Sequence, residues 1–292
     1  MISAWASQII ALTLAALAFT HLVTSGVSSQ GTLIVQVPTR DGIVLCADRR
    51  TWNFVQGASD NEDKLFELSA RSAFATSGIR AVHSPRDLSK LYDVAESVRK
   101  FFVATDALRI FDHWERLQKW LGESYVDYVR NGGLRFDSAH FLADGTVYTL
   151  RFLYLNADGD VRVSQIAFRQ FRRAGAAEDT LEVGMTHDSG SELKSVRLLG
   201  QTEVATELKS GTDKRFDDLR RDPEIRRFYD LADPSRVSVN QGLHFAKLMI
   251  RVSHERHGLL PSGTRLLVGP TCNCLLMAPR KGVRWLGRNM RA

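Results

Sequence analysis

Four residues at regular intervals carry the strongest chemical signal in this chain of 292 residues. Thr32 follows Gly31 and opens an apolar run. Asp48 lies sixteen residues on, Lys64 sixteen further, and Gly78 fourteen beyond that. A hydroxyl, a carboxylate, an ammonium and a flexible backbone N–H can together hydrolyse an amide. The hydroxyl gains a base if the chain is cut between Gly31 and Thr32, because the freed α-amino group then lies within reach of the Thr32 Oγ1. Gly31 suits such a junction, since a residue without Cβ tolerates the twisted peptide that the hydroxyl must attack. Singly, each residue has a bland role: a strand threonine, a solvated Asp–Lys pair, a turn glycine. The signal lies in their joint register.

Elements that could position these groups follow from hydrophobic periodicity. Runs at 32–37 and 43–48 read as strands joined by Pro38 to Gly42, which is hairpin chemistry. Runs at 64–68 and 72–77 read as a second pair. Ser84 with Pro85 is a helix start, and apolar residues at helical spacing follow at Leu88, Leu91, Val94, Val98 and Phe102. Residues 113–129 read as a second helix. Strands are expected at 141–142, 147–155 and 161–168, a charged, Gly-rich loop at 170–192, and a short strand at 196–199. A long helix at 237–257 and strands at 265–268, 272–277 and 283–286 complete the pattern. Strands, paired helices, a late helix and final strands point to an α+β fold with two sheets between helix layers. No repeat or linker divides residues 32–292, which read as one domain.

The Gly31–Thr32 junction, the Asp41 to Arg50 hairpin, the run Asp63, Lys64, Leu65, Phe66 and the run Ala75, Thr76, Ser77, Gly78 resemble a proteasome β-subunit. The bacterial proteasome-like peptidases share the pattern. The resemblance is dense over 31–80, diffuse over the helices and final strands, and absent over about 155–192. It implies a four-layer αββα sandwich of the N-terminal-nucleophile hydrolase type and a threonine endopeptidase needing no cofactor or metal. It further implies Thr32 as nucleophile, Asp48 and Lys64 as the ion pair beside it, Arg50 supporting that cluster, and the Gly78 N–H as oxyanion donor. Thr76 and Arg80, two residues either side of Gly78, would line or flank the pocket for the side chain preceding the cut, with Arg80 favouring acidic or polar groups. Relatives act on peptides or unfolded proteins and stack into rings. A homo-oligomer is therefore expected, using helices at 84–130 that carry Phe101, Phe102, Ile110, Phe111 and Trp114. Two features depart from the family. Its Gly-Ser-Gly run has only Gly200, Gln201 and Thr202 as counterpart, and Ser262 before Gly263 lacks the expected preceding Asp. Two other classes stay open: an N-terminal-nucleophile amidohydrolase acting on small amides, and an inactive subunit that only builds an assembly.

Composition limits the alternatives. The formal net charge is +6 with acids and bases mixed along most of the chain, which argues against a nucleic-acid groove. The exception is the basic stretch 280–291, read as a solvated tail. Three cysteines leave at least one without a partner in the chain. Cys272 and Cys274 fall on one strand face, and Cys46 reads as buried packing. No metal-site spacing accompanies them, and His254 with His257 reads as a solvated helix face. Residues 1–31 hold no Asp, Glu, Lys or Arg. Their apolar core at 9–19 suits a signal peptide for a periplasmic or secreted protein. A propeptide of a cytoplasmic protein and a mis-assigned start are the other readings. An ATP-driven unfoldase partner would fit only the cytoplasmic case.

Overall fold

The computed structural model describes residues 27–30, 32–53, 57–83, 89–104, 114–131, 146–172, 179–187, 192–200, 202–229, 233–259 and 268–292. Strand β1 (Val27–Gln30) precedes the hairpin of β2 (Leu33–Thr39) and β3 (Gly42–Asp48). Short strands β4 (Thr51–Asn53) and β5 (Gly57–Ser59) lead to β6 (Leu65–Ser69), β7 (Ser72–His83) and β8 (Lys90–Asp93). Helices α1 (Val94–Ala104) and α2 (Trp114–Asn131) come next. They are followed by β9 (Thr146–Leu155), β10 (Val161–Arg172), β11 (Asp179–His187) and β12 (Arg197–Gly200). Helices α3 (Glu203–Ser210), α4 (Asp217–Arg220), α5 (Pro223–Tyr229) and α6 (Val239–Glu255) precede β13 (Thr271–Ala278) and β14 (Gly282–Arg291).

Among the described residues all strand pairs are antiparallel and fall into two sheets. The larger runs β11-β10-β9-β7-β1-β4-β5, with β6 and β8 also paired to β7, and the smaller runs β12-β2-β3-β13-β14. Strand β2 explains why the two sheets stack. Its odd residues Leu33, Val35 and Val37 pack with α6, while Ile34 turns the other way into the cluster shared with Ala75, Leu153 and Val163 of the larger sheet. Every β2 position is buried, because both faces of the strand are covered. The buried Gln36 on the inter-sheet face accepts from Arg151 Nε at 3.2 Å. Pro38 is tolerated because β12 has ended by then, its pairing running only from Arg197 opposite Gln36 to Gly200 opposite Leu33.

Helix α6 begins at a capping box in which Ser238 Oγ accepts from Gln241 N and the Gln241 side chain accepts from Ser238 N, an arrangement of a kind worth about 1 kcal/mol. Its Phe245, Ala246, Met249 and Ile250 are buried in the same cluster as Cys46, Cys272 and Leu276. Helix α1 starts at Val94, where Asp93 Oδ1 accepts from the N–H groups of Ala95 and Glu96 at 2.8 and 3.1 Å.

Several expectations are corrected. The four-layer αββα sandwich is not what the chain forms: strand outweighs helix, the sheets are unequal, and the helices do not make two complete outer layers. One side carries a helix pair. The other carries one long helix with three short pieces. The helix expected to run from Ser84 through Leu91 is overturned over 90–93, which form β8 against β7; Asp93 caps the helix instead. The loop expected at 170–192 contains β11, paired residue for residue with β10. Of the five residues expected at an oligomer contact, Phe101 and Phe102 are buried against Phe152 and the larger sheet, while Ile110, Phe111 and the Trp114 side chain lie outside the described residues. Cys46 is not a free packing thiol but is disulfide-bonded to Cys274, its direct neighbour across β3 and β13. The stretch 280–291 is not a tail, since β14 occupies most of it. Strands expected at 141–142 and, up to residue 267, at 265–268 lie outside the described residues.

Candidate active site

The β2–β3 hairpin closes the sixteen-residue gap between Thr32 and Asp48. Its register sets Ile34 opposite Ala47, which brings the start of β2 to the end of β3. The N–H of Leu33, the residue after Thr32, donates to Asp48 Oδ1 at 2.6 Å. Thr32 is only 2% exposed. The chain reaches it through β1, which lies between β7 and β4: Gln30 pairs with Ile79 on one side and Trp52 on the other. Gly31 itself lies outside the described residues.

Asp48 is the hub of the site. Its Oδ2 accepts from Arg50 N at 2.8 Å and from Gly269 N at 2.9 Å. Lys64 Nζ stands 3.2 Å from Oδ2 and 3.4 Å from Oδ1, with both side chains fully shielded from solvent. The ammonium also donates to the Arg50 carbonyl. A buried charge is tolerated only when paired and hydrogen-bonded. Here one carboxylate meets an ammonium and three backbone N–H groups, so both of its oxygens are hydrogen-bonded. Lys64 sits just before β6, and its carbonyl accepts from Thr76 N at 2.9 Å. That bond ties the ammonium's backbone to the strand bearing Gly78.

Arg50 works from its backbone rather than its side chain. Its N–H and C=O clamp Asp48 and Lys64, while its guanidinium turns outward to a bidentate pair with Asp60 at 2.7 and 2.8 Å. Each group stabilises the other's charge: the Asp60 hydrogen bond raises the guanidinium pKa, and the Arg50 hydrogen bond holds the Asp60 carboxyl below its ordinary value. Asp60 and Gly269 are site residues that sequence reasoning did not reach. The signals were an acid in the run ahead of Lys64 and a Gly-Pro step at 269–270.

Gly78 lies in β7 with φ +89°, opposite Tyr148 of β9. A Cβ there would strike the Val147 carbonyl. Gly200, at the end of β12 with φ +91°, abuts Thr32 so closely that a Cβ would run into the Thr32 carbonyl oxygen and crowd Ser77. Thr32, Gly200, Ser77 and Gly78 thus lie side by side. Thr76 is buried, and its hydroxyl has no hydrogen-bond partner among the described residues. Arg80 continues β7, but its side chain lies outside the described residues, as do Ser262 and Gly263. Thr202 stands at the N-cap of α3 without a side-chain cap bond.

The remaining sequence candidates sit elsewhere. One ring nitrogen of His254, Nδ1, is 2.9 Å from the Val268 carbonyl oxygen. Among the described residues no group of three His, Cys, Asp or Glu is placed to hold a metal ion. Cys272 is buried with its sulfur 3.8 Å from that of Cys274, and burial pushes its thiol up to about 12. No helix among the described residues is long and apolar enough to cross a membrane. No protein-family model matches the chain, and a search of curated proteins finds no match.

Proposed function

We propose that this protein is a threonine-type amide hydrolase that activates itself by cleavage before Thr32 and then hydrolyses peptide bonds, in the manner of the proteasome β-subunits its sequence resembles. The observation that carries this reading is the fully buried Asp48–Lys64 pair, whose carboxylate also holds the N–H of the residue next to Thr32. In the first reaction the Thr32 Oγ1 attacks the Gly31 carbonyl carbon. The C–N bond breaks, the nitrogen becomes the Thr32 amine, and water hydrolyses the resulting ester to a Gly31 carboxylate and a free hydroxyl. In turnover the new amine takes the Oγ1 proton and returns it to the leaving amine of the substrate. Lys64 lowers the cost of the developing alkoxide, Asp48 fixes the ammonium, and the Gly78 N–H donates to the oxyanion, a bond worth roughly 3–4 kcal/mol.

Residues 27–30 pair as a strand with both β7 and β4. Their loss would leave a slot where an extended peptide can hydrogen-bond on both sides, which favours peptides over small amides as substrates. Thr76 is the described residue whose unsatisfied hydroxyl fits a role in the neighbouring side-chain pocket. Assembly into a ring and action on unfolded proteins belong to the same proposal. The Cys46–Cys274 disulfide is compatible with an oxidising compartment, which favours export over a cytoplasmic site with an unfoldase. Intact mass of the wild type and of Thr32→Ala tests the reading. Wild-type chains beginning at Thr32, with Thr32→Ala left uncut, are expected. The same N-terminus in both would mean that another protease cuts, and an uncut wild type would mean an inactive subunit.

A further inference from the structure

We propose that the outer edge of β14 binds an acidic, extended polypeptide segment of a partner protein. The sequence supplies Arg280, Lys281, Arg284, Arg288 and Arg291 with no Asp or Glu between residues 279 and 292. None of the five makes an ion pair among the described residues, and Arg284, Arg288 and Arg291 are exposed. The fold turns this composition into a surface. β14 is the last strand of the smaller sheet and pairs only with β13. Its start is closed off where Val283 N donates to the Ala70 carbonyl at 2.8 Å. Beyond that point no second strand covers it among the described residues.

Two details preorganise the edge. Trp285 Nε1 donates to Glu67 Oε2 at 2.8 Å, and the Arg288 guanidinium lies 4.1 Å from the centre of the Trp285 ring. The indole is thus fixed from one side and holds a cation on the other. At the strand's start, a cavity of about 300 Å³ is formed where three hairpin tips meet, lined by Arg71, Arg280 and Lys281 with Asp158 as its one acid. A strand edge presents alternating N–H and C=O groups. A polypeptide in extended form complements both, whereas a phosphate only accepts. The register of β14 against β13 shifts twice, between Cys272 and Cys274 and between Cys274 and Leu275, and Asn289 has φ +51°, so the partner would follow a bulged edge in short stretches rather than one regular ladder. Like charges bar two copies of this edge from pairing with each other, so the partner is a different, acidic chain.

The full chain is titrated into a labelled decapeptide of alternating Glu and Val, with fluorescence anisotropy as readout. The same peptide with Lys for Glu, and one N-methylated at alternate residues, serve as comparisons. The Glu peptide is expected to bind and the Lys peptide not. Alternate N-methylation and Arg288→Glu should each weaken binding about tenfold or more, the scale of one lost charge-assisted hydrogen bond. Arg226→Glu on α5 and Thr32→Ala should leave it unchanged, which separates this edge from the Thr32 site. Unchanged melting of Arg288→Glu checks the fold. No binding of the Glu peptide, equal binding of the N-methylated peptide, indifference to Arg288→Glu, or tighter binding of single-stranded DNA or phosphatidylglycerol vesicles would each overturn the proposal.

Discussion

Replacing Asp48 by Asn removes one charge and one acceptor from a position where both are committed. Oδ1 serves the Leu33 N–H, and Oδ2 serves the N–H groups of Arg50 and Gly269, with Lys64 Nζ near both oxygens. An amide has a single acceptor. If its oxygen takes the Oδ2 place, the NH2 faces the Leu33 N–H, donor to donor. If it takes the Oδ1 place, the NH2 faces two N–H groups and an ammonium. The first arrangement is the less costly and still orphans one buried donor, at about 1–3 kcal/mol. Leaving the Lys64 ammonium buried without a counter-charge brings the whole cost to about 3–5 kcal/mol. Against a typical total of about 5–15 kcal/mol, the protein should remain folded but much weakened. Its urea midpoint should fall by about 1.5–2.5 M for a slope of about 2 kcal/mol per molar. Lys64→Met should cost a similar amount, and the double variant less than the sum, because the pair is removed together. Denaturation followed by circular dichroism, with intact mass on the same samples, reads stability and processing side by side. Lys64→Arg should fold yet lose processing, since a planar fork does not fit where a compact ammonium sits between the Asp48 carboxylate and the Arg50 carbonyl. An unchanged urea midpoint for Asp48→Asn, or strictly additive single and double variants, would refute the account of a dry, coupled pair.

Two further outcomes rest on local geometry. Gly200→Ala should cost more than Gly57→Ala: both glycines have positive φ, but a Cβ at Gly57 meets nothing within 4 Å, whereas at Gly200 it meets Thr32. Strain alone accounts for about 1–3 kcal/mol, so equal melting of the two variants would argue against the close approach. The Asp60 carboxyl is held below its ordinary value of 3.8 by the Arg50 hydrogen bond. Its contribution is therefore complete above that value and is lost as pH falls through the lowered folded one. Asp60→Asn should flatten that part of the acid limb in melts taken from pH about 6 to about 2, and an identical limb in both proteins would rule the pair out.

The approach of Asp48 to the start of β2 was legible because both belong to strands with plain patterns. The apolar run after Thr32, the turn at Gly42 and the run to Asp48 fixed a hairpin, and a hairpin brings its two far ends together. Asp60 and Gly269 were not legible, because each reaches Asp48 or Arg50 from a loop whose course depends on tertiary packing. β11 carried a signal that the charges around it hid: Leu181, Val183 and Met185 alternate with Thr180, Glu182 and Thr186, the period of a strand. The helix expected onward from Ser84 was wrong over 90–93 for the opposite reason. Leu91 fits a helical spacing with Val94, but pairing of β8 with β7 overrode it, and Asp93 supplied the cap. The cysteines were counted correctly yet not paired, because only the register of β3 against β13 sets Cys46 beside Cys274.

That register also orders events in time. Asp48 receives its Gly269 donor from 221 residues downstream, and Cys46 its partner from 228. At ordinary rates of synthesis the stretch between takes on the order of tens of seconds to make. Until β13 arrives, β3 has one open edge and Asp48 lacks one of its three N–H donors. The centre around Thr32 is therefore completed only by residues made long after its own first ones. A chain still being made carries the pieces of the site without the assembled site.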